Sequence, residues 1–195
     1  MTVQPAAKSF AKRVTDTLEP KNWIIAVAVL IGWHSGHLTG IGWGLLGALF
    51  AAILPTAFIR YGMRRGHWAD RHVGAREHRL IVMAFIIASV GTGLALLFGL
   101  GAPRPVTAMT VTMLAAITVM MAITVKWKIS VHCAVSSGAT VMLALTYGPG
   151  WLAAYALVGL VGWSRAELGD HTPAQAAAGT ALGALSALIF VALRR

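Results

Sequence analysis

The sequence predicts an all-α fold: a polytopic transmembrane helix bundle of about six to seven spans, with its active site at one membrane face. Three observations predict it. Of 195 residues, 57% are hydrophobic and only 11% are charged, against roughly 25% charged in an ordinary soluble domain. Mean hydropathy is +0.74. The apolar residues fall in long runs, and a hydrocarbon core roughly 30 Å thick needs about 20 apolar residues per helix. There is too little polar material to clothe a soluble globule, so lipid must solvate most of the surface.

The first span is expected from about Asn22 to His37 and ends in the polar WHSGH. The second runs from about Ile41 to Ile59. A basic loop, Arg60 to Arg79, follows it. The third covers about Leu80 to Leu100, and the prolines of GAPRP then break the chain. The fourth covers about Val106 to Val125. After the polar KWKISVHCAVSSG, Lys126 to Gly138, a fifth continues to Tyr147 and stops at GPG. A sixth covers about Trp151 to Trp163. A polar segment, Ser164 to Gln175, precedes the last, which ends near Leu193. Each span must be helical, because lipid offers free backbone groups no partner. Residues 1–21 read as a polar, basic N-terminal segment, and 22–195 as one membrane-embedded domain. No small-residue cleavage site follows the first apolar run, which argues against a signal peptide.

Composition also excludes functions. The single cysteine, Cys133, rules out an internal disulfide and a cysteine-rich zinc site. A net charge of +10 would suggest nucleic acid in a soluble protein. Here it reads as basic loops beside anionic headgroups, and no nucleic-acid partner is expected. Gly179 and Gly183 have GxxxG spacing, as Gly40, Gly42, Gly44 and Gly47 cluster early; these are packing signals. Arg60, Arg64, Arg65 and Arg71 read as topology signals. His67, His72 and His78 read as loop residues, and His34 and His37 as interfacial. Trp23, Trp127, Trp151 and Trp163 fall near span ends, as interfacial belts do.

Counting spans places the three polar segments. Two spans separate the first from the second, and two more the second from the third. An even number of crossings returns the chain to one face, so the three can converge. Pooled, they supply Arg76 and Arg79, then Lys128, Ser130 and His132, then Ser164, Arg165 and His171. Several fixed cations, two hydroxyls and two imidazoles suit a phosphate: guanidinium groups grip its oxygens, and two histidines can divide nucleophilic attack and proton transfer. HTP, His171 to Pro173, reads as a helix start, beside free backbone N–H groups. Gln175 lies four residues on, where its amide oxygen can orient the imidazole.

The segment SRAELGDHTPAQAAAG resembles the third motif of the type 2 phosphatidic acid phosphatase family: Ser-Arg, five residues, His, three residues, Asp. Ser164, Arg165 and His171 match in spacing, and Pro173 and Gly179 fit. KISVH resembles the family's Ser-Gly-His motif through Ser130 and His132, with Val131 replacing glycine. RHVGAREHR resembles the first motif of a divergent bacterial branch and keeps Arg79, with His72 where the family has lysine. The resemblance implies a plasma-membrane hydrolase of lipid phosphates that needs no metal or other cofactor. It makes His171 the nucleophile and His132 the acid that protonates the leaving group. Arg76, Arg79, Lys128, Ser130, Ser164 and Arg165 then bind phosphate. Gln175 replaces the family's aspartate; it can orient the ring but supplies no charge, and Asp170 is the nearby carboxylate available to offset that.

The expected partners are the bilayer and a lipid phosphate: phosphatidic acid, phosphatidylglycerophosphate, or a polyprenyl phosphate or diphosphate. Basic residues at the N-terminus and in Arg60 to Arg79 put the site on the cytoplasmic face. Two other classes compete. A transporter would carry its ionisable groups at mid-membrane between broken helices, whereas these sit at one face. A catalytically inactive relative binding lipid phosphates draws support from Gln175 and the altered first motif.

Overall fold

The structure is a computed structural model, and it describes residues 6–68 and 76–195, the Arg76 side chain excepted. Among the described residues every regular element is helical.

Helix α1, Ala6–Thr17, turns Ala11, Val14 and Thr15 inward and packs on α7, Tyr155–Glu167. The N-terminal segment therefore belongs to the bundle and does not stand apart from it. Pro20, whose missing N–H costs nothing in a first turn, opens α2, Pro20–Ala48. This long element is two antiparallel arms. Backbone at Gly36 and His37 leaves the helix, and His37 takes φ 51° and ψ −125°, a conformation favouring glycine. The arms touch backbone to backbone. A Cβ on Gly32 would meet the Gly40 carbonyl, one on Gly40 the Gly32 carbonyl, and one on Gly44 the Ala28 carbonyl. The first two expected spans thus form a hairpin turning at WHSGH.

A wider π-helical turn, Leu49–Ile53, then leads into α3, Leu54–Arg64. Such turns release carbonyls from the regular ladder. Here the Ser89 hydroxyl donates to the Phe50 carbonyl at 2.7 Å, and Gly93 leaves room for the Phe50 ring. Both come from α4, Arg76–Gly99. Gly101, at φ 76°, and Pro103 turn the chain into α5, Arg104–Thr124. Helix α6, Val131–Tyr147, is followed by a 3₁₀ turn, Pro149–Ala154, that leads into α7. The last helix, α8, is Pro173–Leu193.

The most extensive helix pair is α6 with α8. A side chain on Gly179 would collide with the Ser130 carbonyl, and one on Gly183 with the Ala134 carbonyl. The GxxxG spacing thus does what it predicts: it lets two backbones meet. Val27, Ile31, Leu97, Val106, Met109 and Phe190 fill the main core. Buried Thr110 and Thr112 return their hydroxyls to carbonyls four residues back, so they add no unsatisfied polar atom.

One end of the bundle is fixed by contacts among helix ends. The Tyr147 hydroxyl donates to the Leu30 carbonyl at 2.5 Å, and Arg104 donates to the Arg195 carbonyl at 2.9 Å. Among the described residues, four helical stretches are long and apolar enough to cross a membrane: Ala6–Arg64 taken as one, Glu77–Gly99, Arg104–Thr124 and Pro173–Leu193. Val131–Tyr147 is a shorter apolar helix. Large apolar side chains such as Phe98, Leu185 and Leu188 point outward, each more than 60% exposed, as a lipid-facing surface requires.

Candidate active site

The opposite end gathers the polar segments. Helix α7 closes through Gly169, at φ 73°, and the next loop folds back on it: the Asp170 and His171 N–H groups both donate to the Arg165 carbonyl, at 3.1 and 3.2 Å. Thr172 caps α8, accepting from the Gln175 N–H at 3.3 Å, while the Gln175 side-chain oxygen accepts from the Thr172 N–H at 3.1 Å. This reciprocal pair is a capping box.

The box fixes chemistry as well as a helix end. Because the Thr172 N–H can only donate, the Gln175 atom facing it is the carbonyl oxygen. That oxygen also lies 3.3 Å from His171 Nδ1. Nδ1 must therefore carry the ring proton, which leaves Nε2 with its lone pair. His171 is 7% exposed. Burial pushes its pKa from 6.5 down to about 4, and the charges of Lys128, Arg79 and Arg165 act in the same direction against the Gln175 bond. At neutral pH the imidazole is uncharged, with one nitrogen available to bond.

The other segments are tied to this one. The Ser130 N–H donates to the Gln175 backbone carbonyl at 3.2 Å, and the Ser130 hydroxyl caps α6 by accepting from the Cys133 N–H at 3.4 Å. His132 follows in the first turn. Arg79, on α4, donates to the Ile129 carbonyl at 3.3 Å. Arg165 pairs with Asp170 at 2.9 Å. Two helix N-termini and several cations thus face one region, a setting that favours an anion.

Arg79, His132, Arg165 and His171 line one cavity of about 360 Å³. All four are at most 9% exposed. The remaining expected residues sit differently. Gln175 stands behind the His171 ring, and Lys128 is close enough to influence its charge. Ser130 is spent on the cap. The buried Ser164 hydroxyl lies 3.0 Å from that of Thr15 and donates to the Val161 carbonyl; it links α1 to α7 and does not line the cavity. Asp170 engages Arg165, so its charge steadies a cation and is not directed at His171. The Arg76 side chain, Arg71 and His72 lie outside the described residues.

The cavity also has walls that the motifs do not indicate. Glu19, Lys21 and Arg60 line it beside the four site residues, and Glu19 is 8% exposed and ion-paired with Lys21. An acidic residue before a proline reads as a helix start, and Arg60 as a topology charge, so neither had a local signal of this position. Below the polar end the lining is mainly apolar, with Val27, Met83, Val90, Met113 and Met142, and the hydroxyls of Thr112 and Ser186 there bond carbonyls of their own helices. Arg79 to Val90 is eleven residues of α4, about 16 Å at the helical rise. Among the described residues no group of three or more His, Cys, Asp or Glu could hold a metal. Comparison with protein-family models, with curated proteins and with solved structures finds no match to the chain.

Proposed function

We propose that the protein is a membrane-embedded phosphatase of lipid phosphates, related to the type 2 phosphatidic acid phosphatases and acting through a phosphohistidine on His171. The observation that carries this reading is the cavity that joins Arg79, His132, Arg165 and His171 to a mainly apolar lining, which follows α4 for about 16 Å from Arg79 to Val90. That length of helix is about half a hydrocarbon core. A ligand with a phosphate at one end and a hydrocarbon chain at the other matches such a cavity throughout.

In the proposed reaction, Arg79, Arg165 and Lys128 hold the phosphate oxygens and stabilise the charge of the pentacoordinate transition state. The lone pair of His171 Nε2 attacks phosphorus while Gln175 retains the Nδ1 proton. The bond from phosphorus to the lipid oxygen breaks, and His132, protonated at this stage, gives its proton to that oxygen. The lipid alcohol leaves. His132 then takes a proton from water, whose oxygen attacks phosphorus, and the phosphorus–nitrogen bond breaks to release inorganic phosphate and free His171.

The proposal includes seven crossings: the two hairpin arms, α4, α5, α6, α7 and α8. The site then lies at the cytoplasmic face of a plasma membrane, since the basic residues gather there. The capping box favours a second reading: Gln175 has a structural reason to be present without any catalytic demand, as in a relative that binds lipid phosphates without turnover.

One experiment separates the two. Purified protein in detergent and chelator is given phosphatidic acid, phosphatidylglycerophosphate and a polyprenyl phosphate, with His171→Ala alongside. Phosphate release that disappears in the variant is the expected result. No release by folded wild-type protein from any of them would overturn the phosphatase reading in favour of the binder.

A further inference from the structure

The four buried site residues raise a question of access. None is more than 9% exposed, so a substrate must arrive through the cavity. Half-buried residues line the cavity on several helices, but its fully exposed lining, Arg60 and Met63, lies on the second arm of the N-terminal hairpin. Near its turn the arms are locked by the Gly32, Gly40 and Gly44 contacts. Towards the site they separate: among the described residues α2 and α3 share no extended interface, yet both line the cavity. The π-helical turn and Pro55 lie where the second arm diverges, and Ser89 and Gly93 hold that turn against α4. Exposure rises in step. Val27, Ala52 and Pro55 are buried, Ile24 and Thr56 half-buried, and Arg60 exposed.

We infer that the wedge between residues 20–24 and α3 is a lateral portal, through which the chain of a lipid phosphate slides from the bilayer into the cavity. The inference rests on the lipid-phosphate reading and adds the route. Lys21 and Arg60 flank the opening and meet the headgroup phosphate first. The chain passes from lipid to an apolar cavity without crossing water, so its transfer is nearly neutral in free energy. Selection then falls on the headgroup, where buried cations have no substitute for a phosphate. The π-helical turn, which gains nothing for a plain hairpin, is explained as the element that opens the wedge.

The test uses the full chain in vesicles. Cys133 is the only cysteine and is buried, so Thr56→Cys provides one accessible thiol for an environment-sensitive fluorophore. Phosphatidylcholine vesicles carry a minor fraction of lipid with brominated chains, either phosphatidic acid or phosphatidylcholine. Stronger quenching by brominated phosphatidic acid, reversed by unbrominated phosphatidic acid, is expected. Equal quenching by the two headgroups would overturn the portal. In parallel, Thr56→Trp is expected to slow release from long-chain phosphatidic acid about tenfold and from a short, water-soluble phosphate ester by less than about twofold. Equal loss on both would count against the portal. Headgroup-selective quenching without any wild-type turnover would leave the portal standing and sink only the phosphatase reading. If Thr56→Trp does not fold, the quenching result decides.

Discussion

The Ser130 N–H donates to the Gln175 backbone carbonyl at 3.2 Å. This bond joins the residue before α6 to the first turn of α8, and so ties together the two polar segments that carry His132 and His171. His132 lies two residues beyond Ser130, and His171 is held by the Gln175 side chain. Gly179, one turn further along α8, sits against the Ser130 carbonyl. Packing and chemistry therefore share the same residues.

Gly179→Ala should destabilise the protein by about 1–3 kcal/mol, because the added methyl meets backbone that cannot rotate away. It should also reduce turnover, since α6 and α8 must part at Ser130. Gly42→Ala, where a Cβ has nothing within 4 Å, is the control. Thermal unfolding in detergent checks both, and equal midpoints for the two variants would contradict the close crossing.

Replacing Gln175 separates capping from catalysis. Gln175→Ala loses the reciprocal cap, at a cost of about 1 kcal/mol, and frees the His171 tautomer, so kcat should fall well beyond what that stability loss explains. Gln175→Asp keeps an acceptor at the same ring nitrogen and adds negative charge. It should retain turnover and move the His171 titration upward, because a carboxylate favours the imidazolium. Abolished turnover in Gln175→Asp would contradict the orienting role.

The pH dependence follows from the sign of the His171 shift. Its folded value, about 4, lies below the ordinary 6.5, so folding favours the neutral ring. That stabilisation is complete above about pH 6.5 and is lost as pH falls towards 4, because the unfolded chain takes up the proton first. Between pH 7 and 4 the unfolding midpoint of the wild type should drop more steeply than that of His171→Asn. Parallel curves would mean that His171 is not held neutral.

The proposed orientation is checked at the C-terminus. Seven crossings from a cytoplasmic N-terminus place Arg195 outside, so a periplasmic-type reporter fused there should be active and a cytoplasmic-type one silent. The opposite pattern would move the site to the other face.

Much of this protein is written in its sequence. Apolar runs bounded by GAPRP, GPG and HTP locate the helices within a few residues, because lipid leaves helix as the economical way to satisfy the backbone. Counting those runs alone brings Arg79, His132, Arg165 and His171 to one end, and Gly179 with Gly183 marks a close crossing. Tertiary structure alone decides which polar groups face the cavity. Ser164 and Ser130 have the right spacing, but one hydroxyl is engaged with Thr15 and Val161 and the other with the Cys133 N–H. Asp170 adjoins His171 in the chain but pairs with Arg165. Glu19 and Arg60 reach the cavity from elements with no motif. Spacing along one helix fixes which side chains share a face, whereas a hydroxyl or carboxylate takes whichever partner a neighbouring helix brings within hydrogen-bond range, and that choice exists only once the helices have packed.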